Sequence, residues 1–472
     1  MTAKENQQRL LKIMQFGGGN FLRAFSLWMI DILNEEEAFN AGVVVIKPTA
    51  FGNYNLLREQ SGNYYVLLNG LNKGQTVHTL RKIECIEDIV NPYKEWQKYL
   101  KLAENSSILF VISNTTEAGI KFSKKDTISD QPPKEFPAKL ALWLYHRFKF
   151  FKGDSSKGCL ILPCELIEQN GEQLRKCILA YAGQWELEEE FTSWVLNHNY
   201  FYNTLVDRIV SGFPTAIAPK VYKEIGYHDP LLVAGEYYHS WIINGPEIFK
   251  KEWPLHNKSL NIQMVEDLDP YRKMKVRLLN GAHTTLVPLG LLLKISTVRE
   301  AIEDVDLSRF LNKLLENEII PSLKGAGEEG VLYIADVMER FRNPSIRHQL
   351  SSISLNSIAK FRTRLLPSLL NYVALKRSIP PLLVFVWAAL IIFYRGSYRG
   401  EAVDLKDDEA IIAYFKSLWD LNDPEKISRT VLSNSQLWGD DFSKEESLVT
   451  LLSYYIKAID EKGIKMTMNS LT

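Results

Sequence analysis

Residues 12–163 alternate short β-type runs with helical patterns, and this alternation constrains the fold more than any other feature of the chain. The β candidates are Lys12–Phe16, Gly42–Lys47, Tyr64–Leu68, Ile108–Ser113 and Gly158–Pro163. Between them, Asn20–Asn34, Tyr93–Ala103 and Pro137–Phe150 repeat their apolar residues at helical spacing. Strand, helix, strand in succession implies a mostly parallel sheet, because a parallel neighbour is reached only through a long crossover. From about Pro254 long helical periods take over: Asp269–Leu292, Asp306–Leu315, Ala335–Arg342, Ser351–Tyr372, Pro381–Tyr394 and Asp408–Leu418. The pattern predicts an α/β domain over residues 1–250 and an all-α domain over 251–472. The boundary is expected near residues 245–260, with the active site in the cleft between the domains.

Where the first strand meets the first helix stand Gly17, Gly18 and Gly19. A strand turning tightly into a helix whose free N–H groups receive a pyrophosphate needs residues without side chains there. The pattern reads G-x-G-x-x-x-R over Gly17, Gly19 and Arg23, not G-x-G-x-x-G, so an ordinary glycine-rich turn is the alternative. Its place after the first strand of a βαβ pattern favours the dinucleotide. Arg23 is placed either to reach a phosphate or to lie on the surface. The second strand ends at Lys47 without the acid that often receives a ribose 2′-OH, and a lysine suits a 2′-phosphate. The residues alone therefore leave NAD and NADP open. After the fourth strand, Asn114, Thr115, Thr116 and Glu117 fit either a nicotinamide ribose or a helix cap.

Charge and cysteines exclude several classes. Lys+Arg and Asp+Glu number 56 each, so no net field draws the chain to nucleic acid or an anionic membrane. Cys85, Cys159, Cys164 and Cys177 form neither a CxxC pair nor a zinc pattern, and the start of the chain, Met1–Arg9, is charged. Both point to a cytoplasmic protein. The longest apolar run, Pro381–Tyr394, is shorter than the roughly 20 residues of a membrane span, so it reads as a buried helix.

Within Asp269–Leu292, KVRLLNGAH sets Lys275, Asn280 and His283 at i, i+5 and i+8. On an α-helical wheel their azimuths are roughly 0°, 140° and 80°, with Arg272 at roughly 60°. Such a stripe on an apolar helix is either a solvent face with a structural histidine or a site, since a buried, unpartnered polar group costs about 1–3 kcal/mol. Ketone reduction fits the set. Hydride from a nicotinamide leaves an oxygen to be protonated. A lysine can supply the proton, asparagine N–H groups can hold the oxyanion, and histidine can orient a hydroxyl or the lysine.

Seven segments, in order along the chain, resemble one family. IMQFGGGNFLRAF (Ile13–Phe25), SNTTEAGI (Ser113–Ile120), LPCELIEQNG (Leu162–Gly171), TLVDRIV (Thr204–Val210) and KVRLLNGAHT (Lys275–Thr284) resemble the polyol-specific long-chain dehydrogenases, the mannitol dehydrogenase family. FRNPSIRHQL (Phe341–Leu350) and KFRTRLLP (Lys360–Pro367) resemble its branch acting on keto sugar acids. The resemblance implies a Rossmann-type N-terminal domain, a helical C-terminal domain, NAD as cofactor and no metal. It implies a cofactor site at Phe16, Gly17, Gly18, Gly19, Asn20, Phe21, Arg23, Lys47, Asn114 and Thr115. Lys275 becomes the general acid/base, with Asn280 and His283 beside it, Asn170 a second oxyanion donor, and Asp207 a substrate contact. Two departures from the polyol enzymes bear on the substrate. Arg272 stands where they carry a glutamate and Ser352 where they carry a substrate arginine, while Arg362 and Arg364 crowd Lys360. Positive charge moved into a pocket is what a carboxylate requires, so the substrate carboxylate is expected on a cation drawn from Arg272, Lys360, Arg362 and Arg364. Arg272 comes first because it shares a helix face with Lys275 and His283, Lys360 comes second, and surface pairing is the alternative for Arg362 and Arg364. The implied reaction is reduction of tagaturonate to altronate. Fructuronate reduction, polyol oxidation and a non-catalytic dinucleotide-binding regulator are the other readings.

Overall fold

The computed structural model describes residues 9–72, 74–115, 118–345 and 347–472, so the first eight residues, Thr116 and Glu117 lie outside the described residues. The chain divides into two compact units, one of residues up to Asn72 with Thr76–Leu268, the other of residues 73–75 with Asp269–Thr472.

In the first unit, six strands form a parallel sheet: β1 (Leu10–Phe16), β2 (Ala41–Ile46), β3 (Ile86–Val90), β4 (Phe110–Ser113), β5 (Leu160–Pro163) and β6 (Tyr200–Phe201). Their spatial order, β3-β2-β1-β4-β5-β6, is that of a doubly wound dinucleotide-binding sheet, and the order reverses between β1 and β4. Side chains alternate between two apolar cores. Ile13, Val43, Val45 and Ile112 enter one, while Met14, Val44, Ile46 and Val111 enter the other. Burial on both faces is why these strands read as continuous apolar runs.

Tyr64–Asn72 is a strand, but not of this sheet. Only residues 73 and 74 separate it from the strand Gln75–Ile83, too few for a crossover, so the two lie side by side in a second sheet with Val233–Glu236 and Val210–Gly212. The third place in the main sheet belongs to β3, whose central Glu87 and Asp88 hide it from a search for apolar runs. The expected helix Asn20–Asn34 is two, α1 (Asn20–Arg23) and α2 (Ser26–Glu36). Donors distant in sequence take the carbonyls freed at the break: Tyr64 Oη donates to Arg23 O at 2.8 Å and Arg208 Nη1 to Ala24 O at 2.5 Å.

The unit also runs past the expected boundary at 250. Ile262–Val265 pairs in parallel with Ser240–Asn244, and Phe249, Trp253 and Leu260 share a core with Phe39 and Phe110. The division therefore falls between Leu268 and Asp269, and the Pro254 turn is a loop within the first unit.

The second unit is mainly helical. It opens with α3 (Asp269–Met274), a π-helical turn (Lys275–Asn280) and α4 (Gly281–Leu292). The expected helix Ser351–Tyr372 is three pieces, Leu350–Ile353, α5 (Ser357–Arg364) and Leu366–Lys376. Asn356 interrupts it with φ 56°, and Pro367 lacks the N–H that a continuous helix would use. In α6 (Pro381–Phe393), every residue from Leu382 onward is buried, which accounts for the apolar run. Among the described residues, no helix is long and apolar enough to cross a membrane.

Candidate active site

The loops after β1 and β4 flank the point where the sheet order reverses, and Phe16 O accepts from Asn114 N at 3.1 Å. Gly17 has φ 115°, and a Cβ there would lie 3.0 Å from Asn114 O, so both conformation and neighbour demand glycine. A Cβ at Gly18 would lie 2.9 Å from Tyr54 Cε1. At Gly19 it would meet nothing within 4 Å among the described residues, and none of their side chains caps the first turn of α1. An open, uncapped turn at the switch point suits phosphate oxygens, so these residues fit a dinucleotide.

The residues expected around that turn are disposed unevenly. The Phe16 ring packs in the core against Tyr99 and Phe136, leaving its backbone to border the turn. Phe21 stacks on Phe25, and Asn20 Oδ1 accepts from Arg23 Nη2 at 2.6 Å. Arg23 does not reach outward to a phosphate. Its guanidinium is buried 5.2 Å above the Tyr64 ring, donates to Leu231 O as well as Asn20, and has its pKa lowered by burial. Lys47 Nζ donates to Ala50 O at 3.0 Å, closing its own loop. Asn114 Nδ2 donates to Cys164 O at 2.8 Å. Thr115 N and Oγ1 donate to Glu165 Oε1 at 2.9 and 3.0 Å, and Ser113 Oγ donates to Oε2 at 3.0 Å. Glu165, a buried carboxyl whose pKa burial raises, thus fixes residues 113–115. Sequence reasoning gave it no role, although an acid at the end of an apolar strand was the available signal.

Asn170, expected as an oxyanion donor, has its amide engaged with the backbone in this structure. Its Nδ2 donates to the carbonyls of Pro163, Glu165 and Thr204 at 2.9, 3.0 and 3.1 Å, and Oδ1 accepts from Thr204 N at 2.9 Å. Both N–H donors are committed to carbonyls, so the side chain stitches the loop after β5 to the strand Asn203–Asp207. Asp207, half-buried, ends that strand opposite Ser240.

In the second unit the helical wheel needs correcting. Bonds in the π-helical turn Lys275–Asn280 run i→i+5, so residues five apart lie one above the other. Lys275 therefore stands in line with Asn280 along the helix, rather than about 140° around it as α-geometry requires. His283 follows three residues on, near the same face. Its buried ring packs against Phe341, with centroids 4.4 Å apart, and His348 at 4.9 Å. Burial lowers the His348 pKa. Arg272 Nη1 lies 3.5 Å from Asp269 Oδ1.

The carboxyl end of α5 packs against the same segment, with Leu365 Cδ2 close to Gly281. Arg277 Nη1 donates to Thr363 O at 2.9 Å and Arg364 O at 3.3 Å, capping α5. Arg364 Nη1 donates to Thr284 Oγ1 at 3.3 Å, one residue beyond His283. Lys360 Nζ donates to Ile353 O at 2.7 Å. Burial lowers the pKa of all three cations, and the charge of Arg364 adds to the effect at Lys360. Among the described residues, no carboxylate forms an ion pair with Arg277, Lys360 or Arg364, although the charge of Asp407 acts on Lys360 and raises its pKa in part. Arg362 instead turns to Gln436 O at 3.2 Å and is exposed. Arg277 and the rings of Phe341 and His348 are the neighbours to which sequence reasoning assigned no role.

A family profile described as the mannitol dehydrogenase Rossmann domain matches residues 11–287, and one described as the mannitol dehydrogenase C-terminal domain matches residues 267–460. The altronate oxidoreductase of Bacillus subtilis (strain 168) is 43% identical, over 97% of this chain and 94% of its own length. That of Escherichia coli O139:H28 is 41% identical, over 98% and 96%. A substrate-free D-sorbitol dehydrogenase superposes with a TM-score of 0.79 at 22% identity, covering 97% of this chain and 95% of its own. A Pseudomonas fluorescens mannitol 2-dehydrogenase, solved as a ternary complex with NAD and D-mannitol, gives 0.69 at 21% identity, covering 98% and 94%. These two structures establish likeness of fold. With the profiles spanning both units and the relatives aligning nearly end to end, the chain belongs to the mannitol dehydrogenase family of oxidoreductases.

Proposed function

We propose that the chain catalyses the NAD-dependent reduction of D-tagaturonate to D-altronate, with Lys275 as general acid and, in reverse, general base. The observation that carries the sugar-acid reading is the trio Arg277, Lys360 and Arg364, partly buried beside the Lys275 segment and, among the described residues, without a carboxylate ion pair. Cations taken from water need an anion, which a uronate supplies and a neutral polyol lacks. The altronate oxidoreductases at 41% and 43% identity support the same substrate class. For the carboxylate, Arg364 is preferred over Lys360 and Arg272, because it reaches Thr284 beside His283 whereas Arg272 lies against Asp269.

The nicotinamide, when bound, supplies hydride to the ketone carbon. Lys275 gives its proton to the ketone oxygen as negative charge grows there. Asn280, one π-turn along, donates an amide N–H to the same oxygen. His283, packed against Phe341 and His348, orients a neighbouring hydroxyl, and Asp207 accepts from another. Gly17–Gly19 with the first turn of α1 hold the pyrophosphate, and Asn114 and Thr115 border the nicotinamide ribose. NAD is chosen over NADP because Lys47 is bonded within its own loop and the mannitol 2-dehydrogenase relative was solved with NAD. The four cysteines, all free, support a cytoplasmic setting.

NADH oxidation with tagaturonate, fructuronate and fructose tests the reading. Tagaturonate is expected to give the highest kcat/KM. A preference for fructose sinks the sugar-acid assignment, and a preference for NADPH restores a 2′-phosphate role to Lys47.

A further inference from the structure

Of the three glycines at the end of β1, only Gly19 has no described residue within 4 Å of where its Cβ would stand. Over Gly18 lies the ring of Tyr54, so close that a Cβ would stand 2.9 Å from Cε1 and 3.4 Å from Cζ. Glycine at this position is thus required by the tyrosine. The Gly18 N–H is also engaged, donating to Tyr54 Oη at 2.9 Å. In a strand–glycine–helix turn such N–H groups are the donors a pyrophosphate uses. Here the protein itself occupies one of them.

A phenol oxygen that accepts a hydrogen bond still carries its own proton. Among the described residues, no group accepts the Tyr54 proton. Burial of the ring raises the Tyr54 pKa, so the hydroxyl remains a donor at neutral pH. Phosphate oxygens are acceptors only, and an N–H···O–H chain polarises its terminal proton toward such an acceptor. The local field agrees. Arg23 acts electrostatically on Tyr54, its hydrogen bonds go to neutral oxygens, and among the described residues its Nε has no partner, while the charge of Asp229 acts on it in the opposite sense. Tyr54 is held in place as the residue preceding the helix Asn55–Glu59.

We propose that the Tyr54 hydroxyl is a hydrogen-bond donor to the pyrophosphate of the bound dinucleotide, relaying the Gly18 N–H. The inference rests on the dinucleotide reading above and adds a cofactor-binding residue contributed by the loop after β2.

Tyr54→Phe keeps the ring over Gly18 and removes only the hydroxyl. Binding of NADH is read by fluorescence titration and of ADP-ribose by calorimetry, both well below the melting temperature of either protein. Loss of a hydrogen bond to a charged group predicts that both Kd values rise by about tenfold or more. ADP-ribose should lose as much as NADH, because it retains the pyrophosphate and lacks the nicotinamide. A tyrosine that merely holds Gly18 in place would lower the melting temperature and leave both Kd values at wild type, which overturns the inference. Wild-type protein that binds neither NADH nor NADPH overturns the cofactor reading first. The two failures are therefore distinguishable.

Discussion

At the residue scale, the roles of Lys275 and Arg364 separate by kinetics. Lys275→Ala is expected to lower kcat for ketone reduction by roughly 10²–10⁴-fold, with NADH affinity unchanged, because it removes only a proton transfer. Single-turnover rates check that chemistry is being measured, and a variant that keeps a tenth of wild-type kcat ends the assignment. Arg364→Ala is expected to cost about 2–5 kcal/mol in kcat/KM for tagaturonate, as for truncation of a desolvated charge pair, and far less for fructose. Equal losses with both substrates would mean that Arg364 serves only to join α5 to Thr284. Asn170 is the contrasting case. The resemblance makes it an oxyanion donor, yet in this structure three carbonyls take its N–H groups, so a substrate oxygen would have to displace one of them.

At the element scale, the glycine turn and the second π-turn make separate predictions. Gly17→Ala forces a side chain onto φ 115° against Asn114 O and should cost about 1–3 kcal/mol of stability in urea unfolding. Gly19→Val should leave stability nearly unchanged, since its Cβ meets no atom of the described residues within 4 Å, yet weaken NADH binding by filling the open space. Were the valine variant to bind NADH normally, the turn would be only a turn. The π-turn Leu315–Ile319 sets buried Glu318 against the start of α6, where its carboxylate accepts from Leu382 N at 2.8 Å and Leu383 N at 2.7 Å. Burial outweighs those bonds and raises its pKa from 4.5 to about 7. Between those values the folded chain holds a proton that the unfolded chain has lost, so this group's contribution to stability falls as pH rises. Glu318→Gln removes that titration. The stability of the variant relative to wild type should therefore rise by about 2–4 kcal/mol from pH 5 to pH 8, by denaturant unfolding. A relative stability that stays flat over that window would show that Glu318 titrates normally.

At the scale of the whole molecule, cysteine accessibility is a compact check on the packing of the first unit and on the chain's redox state. Cys85, Cys159 and Cys164 are fully buried, and burial pushes the partly exposed Cys177 thiol up to about 11. A disulfide reagent at pH 8 should therefore find four thiols in denaturant and, in the native protein, at most one that reacts slowly. Several fast native thiols would contradict the packing of the first unit, where all four lie. The sequence by itself determined the class of each half and the presence of most of their elements. Apolar period, glycine placement and the spacing of Lys275, Asn280 and His283 are written within a few residues of one another, where local geometry acts. Tertiary structure decided which strands share a sheet, sending Tyr64–Asn72 away and bringing Ile86–Val90 in. It also decided that the first unit ends at Leu268, that Lys275 and Asn280 align through a π-turn, and that Arg23 and Asn170 face inward. The acceptor that turns Arg23 lies 208 residues away at Leu231, and one that engages Asn170 lies 34 away at Thr204. A side chain goes where its hydrogen-bond partner is, and those partners are assembled only when distant segments pack together.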